Sequence, residues 1–149
     1  MRIAALRERI EGERRVAITP ESARQLVDAG LVVTIESGAG AESGYADAAY
    51  QAAGAEVAAS AALGTVDVLA HVRPLTVETI GALKTDTITV GLASAASELA
   101  AVRALRDARI TSFALELVPR ISRAQSMDAL TSQSLVTGYR SVLEASMRF

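Results

Sequence analysis

The chain has 149 residues, half of them hydrophobic, with 15 basic and 17 acidic side chains and a net charge of −2. This length and apolar content suit one domain with a packed soluble core. The near balance of charge argues against a nucleic-acid surface or a polybasic membrane patch, and the lack of cysteine rules out disulfides, thiolate catalysis and cysteine-based zinc sites. Arg2 is followed by a short apolar run and then by Arg7, Glu8 and Arg9, which is unlike a signal peptide. No stretch reaches the roughly 18 apolar residues of a membrane helix. A cytoplasmic location without direct membrane insertion is expected by elimination.

Ile3 to Leu6 is a short apolar run that reads as a buried parallel strand. The polar segment Arg7 to Arg15 follows. Thr19-Pro20-Glu21 predicts a helix start, with Thr as N-cap, Pro at the first helical position and an acid in the first turn. Ala23, Leu26 and Val27 supply its apolar face, and Gly30 ends it. Leu31 to Ile35 is β-branched and predicts a second strand, so a βαβ unit is already suggested. Glu36 to Tyr45 is a glycine-rich loop, Tyr45 to Ala53 a short helix closed by Gly54, and Glu56 to Ala58 a weak edge strand. A short alanine-rich helix is expected over Ala59 to Leu63, then a clear strand from Val66 to Val72 stopped by Arg73-Pro74. Val77 to Leu83 predicts a helical turn or two, Thr87 to Leu92 a strand, and Ser97 to Ala108 a helix with Leu99, Val102 and Leu105 at helical spacing. Ile110 to Leu117 is the last strand. The final helix is expected to begin near Ser126 and to reach Phe149. Leu135, Tyr139, Val142, Leu143 and Ser146 mark one face, and Arg140, Glu144 and Arg148 lie at i, i+4 spacing on another. No repeat or linker divides the chain. It reads as a single α/β domain of helices around an open sheet of five or six mostly parallel strands, with a long C-terminal helix.

The junction between the last strand and the final helix, Val118 to Ser134, carries Arg120, Ser122, Arg123, Gln125, Ser126 and Asp128. That is more polarity than a connection needs. In open α/β sheets, ligands bind outside the carboxyl ends of strands. The alternative is a solvated loop with Ser126 as helix N-cap and Asp128 favoured in the first turn by the helix dipole.

Gly38-Ala39-Gly40 follows a strand, but the next glycine is Gly44, one residue too far for the dinucleotide fingerprint. No acid stands clearly at the end of the next strand, so a tight glycine turn is the simpler expectation. The pair Arg14-Arg15 reads first as solvated charge. His71, the single histidine, lies inside a strand and reads as a core or strand-end residue.

The run Pro119-Arg120-Ile121-Ser122-Arg123-Ala124-Gln125-Ser126-Met127-Asp128 resembles the signature loop of the NAD(H)-binding alpha subunit of the proton-translocating nicotinamide nucleotide transhydrogenases. Gly12-Glu13-Arg14-Arg15-Val16-Ala17-Ile18-Thr19-Pro20 and Glu36-Ser37-Gly38-Ala39-Gly40 match in the expected order, so the resemblance spans the chain. The wider family, which includes alanine dehydrogenase, shares these last two blocks but not the loop.

The resemblance implies a flavodoxin-like or Rossmann-like N-terminal domain covering residues 1–149. It implies that the main NAD-binding domain, with its G-x-G-x-x-G segment, follows in sequence and is absent from this chain. Arg120, Gln125 and Asp128 then become the loop residues that face bound nicotinamide and support hydride transfer, with Thr131, where the family usually has Ser, as a further cofactor contact. NAD(H) would be held mainly by the missing domain, and NADP(H) by a partner subunit. Transhydrogenase beta and membrane subunits or domains would be partners, and the soluble part would be a homo-oligomer, peripheral to the inner membrane. The chain by itself would be inactive.

Two alternatives follow the same residues. One is an amino-acid dehydrogenase domain, in which the resemblance gives Arg15 the substrate carboxylate. Against it, Arg73 replaces a lysine, and Val90 to Ala95 lacks the catalytic histidine expected there. Leu92 to Ser97 also departs from the more polar, Asn-containing version of the transhydrogenases. The other alternative is a standalone, non-catalytic partner-binding domain.

Overall fold

β1 (Arg2–Ala5) pairs in parallel with β2 (Val32–Glu36) on one side and with β4 (Val68–His71) on the other. β3 (Glu56–Ala58) flanks β2, while β5 (Ile88–Gly91) and β6 (Thr111–Ala114) extend the sheet beyond β4. The computed structural model describes residues 1–148. The order β3-β2-β1-β4-β5-β6 is parallel throughout. It is the doubly wound order of a Rossmann-type sheet, and it differs from the flavodoxin order. Every strand therefore ends at the same edge of the sheet.

The two faces of the sheet bury different sets of helices because side chains alternate along each strand. Ile3, Ala5, Val33 and Ile35 pack with Ala23 of α1 (Pro20–Asp28) and with Tyr50 of α2 (Asp47–Ala52). Ala4 and Leu69 face Ile80 of α3 (Val77–Ala82) and Ala101 and Leu105 of α4 (Leu99–Asp107). Thr19 caps α1 as the sequence predicts, its hydroxyl accepting the Ser22 N–H at 3.2 Å, and Thr76 caps α3 in the same way at 3.1 Å. Gly30 and Gly54 close α1 and α2 at φ of 83° and 86°, where a side chain would be strained.

Three expectations are corrected. Residues 59–63 form no helix, and a 3-10 turn at Leu63–Thr65 leads into β4. Alanine content alone does not nucleate so short a segment. The run Ile110 to Leu117 forms only a four-residue strand before a 3-10 turn at Leu115–Leu117. It is an edge strand: Ile110 is buried under α4, but Phe113 is 56% exposed. Last, α5 (Ala129–Arg148) starts three residues after Ser126, behind a 3-10 turn at Ser122–Met127. Arg140 and Glu144 pair one turn apart, as their spacing predicts. No side chain of α5 is buried, and Leu135, Val136, Tyr139, Val142 and Met147 stand exposed. Phe149 lies outside the described residues. No described helix is long and apolar enough to cross a membrane.

Tyr50 is the largest fully buried side chain, and its hydroxyl donates to the Ile18 carbonyl at 2.9 Å. Gly40 lies against it. A Cβ there would meet the Tyr50 oxygen at 2.7 Å and the Tyr45 Cβ at 2.8 Å. Gly40→Ala should therefore cost about 1–3 kcal/mol of stability by overpacking. Gly81→Ala, in α3 with nothing within 4 Å, should add about 0.5–1 kcal/mol. Urea denaturation of both variants checks the pair, and an unperturbed Gly40→Ala protein would refute the close packing of that loop.

Candidate functional site

The winding of the sheet reverses between β1 and β4, which leaves a crevice at their carboxyl ends, where ligands bind in folds of this type. A cavity of about 640 Å³ lies along residues 7–15, with Gly38, Ala39 and Glu42 on its far side. Arg15 is not free within it. Glu13 takes its guanidinium in a two-pronged pair, with Nε to Oε1 at 2.8 Å and Nη2 to Oε2 at 2.7 Å. Arg73 approaches the same carboxylate at 4.0 Å. The third arm of Arg15, Nη1, donates to Gln133 Oε1 of α5 at 3.3 Å.

Neighbouring side chains are similarly engaged. Glu8 accepts the Val72 N–H at 2.6 Å, and burial raises its pKa despite that bond. His71 ends β4 and is buried, which is the strand-end position expected of it. Its Nδ1 lies 2.8 Å from the Arg73 carbonyl, so Nδ1 is the protonated nitrogen, and buried Nε2 has no partner among the described residues. Burial holds its pKa below the ordinary histidine value. The glycine turn after β2 is closed by Asp47, which accepts the Gly38 N–H at 2.9 Å and the Ser37 hydroxyl at 2.6 Å. An amide already bonded to a carboxylate does not cradle a phosphate, so the turn is structural, as its spacing suggests.

The loop after β6 is different. A cavity of about 430 Å³ brings Arg120, Ser122, Gln125, Asp128 and Thr131 together. Arg120 and Gln125 are exposed, and neither side chain has a hydrogen-bond or ion-pair partner among the described residues. Asp128, and not Ser126, caps α5: its Oδ1 accepts the Thr131 N–H at 2.9 Å and its Oδ2 the Thr131 hydroxyl at 2.6 Å. The Thr131 hydroxyl, its N–H and the nearby Arg120 charge together hold the Asp128 carboxyl below the usual range. Arg120 therefore acts on Asp128 through space and not through a direct pair. The 3-10 turn between them curls so that Ala124 alone is buried, while Ser122 and Gln125 line the cavity.

The chain matches the family described as "Alanine dehydrogenase/PNT, N-terminal domain" over residues 4–137. It belongs to that family. Within the family it is 43% identical over its whole length to the first component of the NAD(P) transhydrogenase alpha subunit of Rhodospirillum rubrum, of which it spans 41%. The crystal structure of transhydrogenase from Sinorhizobium meliloti superposes with a TM-score of 0.94 at 35% identity, covering 99% of this chain and 44% of that one. An L-alanine dehydrogenase structure is more distant, with a TM-score of 0.75 at 30% identity over 79% of this chain and 33% of that one. The family's N-terminal domain thus accounts for the fold, and the chain spans less than half of these relatives.

Two polar groups near the loop were not legible in the sequence. Glu116 lies inside the apolar run read as a strand, and its carboxylate accepts the N–H groups of Ala93 and Ala95 at 3.0 and 3.1 Å. Gln133 lies on a helix face that carried no signal. The Glu13 partner of Arg15 was legible in principle, since two residues of opposite charge two apart on a loop can fold back on each other.

The Glu13 carboxyl is held at about 2, against an ordinary 4.5, chiefly by the Arg15 side-chain bonds. A depressed folded-state pKa stabilises the fold fully above the ordinary value, and that stability is lost as pH falls toward the depressed one. Between about pH 5 and about pH 2.5, wild type should lose more stability than Glu13→Gln. Denaturation midpoints across that window test this, and parallel curves would show that the pair contributes nothing.

Proposed function

We propose that this chain is the N-terminal domain of an NAD(P) transhydrogenase alpha subunit. In this reading it supplies the loop that positions nicotinamide for hydride transfer between NAD(H) and NADP(H). The observation that carries the proposal is the convergence of Arg120, Gln125, Asp128 and Thr131 on one cavity at the carboxyl edge, with two of the four left without protein partners among the described residues. The similarity to named transhydrogenase subunits supports the same reading.

When bound, the nicotinamide supplies the hydride. No proton needs to move between the reacting carbons, so what this chain must provide is position. The guanidinium of Arg120 suits a carboxamide oxygen. Gln125 offers both donor and acceptor to a carboxamide or a ribose hydroxyl. Asp128, charged and fixed by Thr131, orders the start of α5 and adds a carboxylate to the cavity wall. The donor set therefore fits a nicotinamide and its ribose. Most of the dinucleotide would be held by a second domain bearing the glycine-rich fingerprint. NADP(H) would lie on a beta subunit, and membrane parts of the assembly would carry the protons. The exposed apolar face of α5 would be covered by that second domain or by a second copy, since large apolar patches seldom stay open.

An amino-acid dehydrogenase has less support. Residues 90–95 hold no histidine, and the one histidine presents a donor bonded to a carbonyl and a buried acceptor.

The test is a hybrid in which this chain replaces the matching segment of the Rhodospirillum rubrum alpha component, assembled with the remaining subunits of that enzyme. The hybrid should transfer hydride. Arg120→Ala should slow transfer on the order of 100-fold, as expected when reacting atoms shift by about 1 Å, with little change in NADH affinity. A raised dissociation constant with an intact rate would make Arg120 a binding residue only. The chain by itself should bind NADH weakly or not at all in calorimetry, and micromolar affinity would place the dinucleotide site within these residues.

A further inference from the structure

The 118–128 loop hangs from an edge strand. Among the described residues β6 has one neighbour, β5, and its ladder ends at the pair Gly91 and Ala114. Beyond that point the backbone hydrogen bonds of the loop are local: Val118 to Leu115, Ile121 to Pro119, Ala124 to Ile121 and Asp128 to Gln125. No side chain from Arg120 to Met127 bonds to the body of the protein among the described residues. Only Ala124 is buried.

Glu116 supplies the missing attachment. It lies in the 3-10 turn after β6, two residues before Val118. Its two oxygens take the N–H groups of Ala93 and Ala95, in the loop that follows the neighbouring strand β5. Between them Ser94 adopts φ of 48°, the left-handed turn that aims successive amides into one anion-binding hollow. The side chain thus prolongs the β5–β6 attachment past the last backbone pair. Burial disfavours the charged carboxyl, but the backbone N–H bonds outweigh it and hold the group below the usual range.

We propose that Glu116 is a positioning residue for hydride transfer, fixing the base of the loop that presents Arg120 and Gln125. This role rests on the functional reading above. Glu116 does not line the cavity that holds Arg120 and Gln125. It acts by stopping the loop from pivoting about the turn at 115–117.

Glu116→Ala and Glu116→Gln test this in two settings. In the chain alone, hydrogen exchange at Ala93, Ala95 and residues 118–128 should rise about tenfold or more in Glu116→Ala and less in Glu116→Gln, whose one amide oxygen keeps one acceptor. In the hybrid enzyme, stopped-flow hydride transfer should fall about 10–100-fold in Glu116→Ala, with NADH affinity nearly unchanged, and Glu116→Gln should recover some of the rate. If Glu116→Ala does not fold, Glu116→Gln carries the comparison. A wild-type transfer rate in the folded variant overturns the proposal, as does a loss of rate matched by an equal loss of NADH affinity. Unchanged exchange at Ala93 and Ala95 overturns the anchoring itself. A hybrid that moves no hydride with Glu116 intact overturns the functional reading instead, and with it the role in transfer.

Discussion

β1 is hydrogen-bonded on both sides, to β2 and to β4, and its four residues set the frame for the rest. Ile3 and Ala5 feed one core and Ala4 the other. Because both neighbours run parallel to it, their loops emerge at the same edge, and the chain winds away from β1 in both directions. An antiparallel partner at either position would send one of those loops to the opposite edge. The polar loops after β1, β2, β4, β5 and β6 meet at that shared edge.

What holds the edge together is a set of carboxylates. Glu36 accepts the Arg7 N–H, Glu8 the Val72 N–H, Asp47 the Gly38 N–H, Glu116 those of Ala93 and Ala95, and Asp128 that of Thr131. The loops at the ends of parallel strands leave N–H groups without ladder partners, and an ionised acceptor satisfies them more strongly than a neutral one. Hydrogen bonds to charged groups contribute about 1.5–3 kcal/mol each where they are shielded from water, a condition that the solvent-facing Asp47 and Asp128 do not meet. The near-neutral composition of the chain hides this use of its acids.

The same edge holds two loops of opposite character. In the loop after β1, Arg15 is closed by Glu13 and tied to α5 through Gln133. In the loop after β6, Arg120 and Gln125 have no side-chain partner among the described residues, and Glu116 and Asp128 bond to backbone N–H groups on either side of them. The function proposed for this loop requires donors left open on an anchored backbone, because a flexible donor would spend its binding energy on becoming ordered. The internally paired Arg15 contributes to architecture by linking the first loop to the last helix.

The sequence by itself determined what local chemistry controls. Thr19-Pro20 placed α1, Gly30 and Gly54 closed their helices, short apolar and β-branched runs located the strands, and the unbroken Pro119–Asp128 run pointed to the loop. It left undecided whatever depends on groups distant in the chain. The run Ile110–Leu117 looks buried, yet it became an exposed edge strand, because strand order and not hydrophobicity sets which strand lacks a second neighbour. Ser126 and Asp128 are both competent caps. The 3-10 turn before α5 left the cap to Asp128. Glu116 gave no sign in the sequence, since its partners lie 21 and 23 residues away and are backbone amides, which every residue but proline offers. Tertiary structure alone decided which amide met which carboxylate.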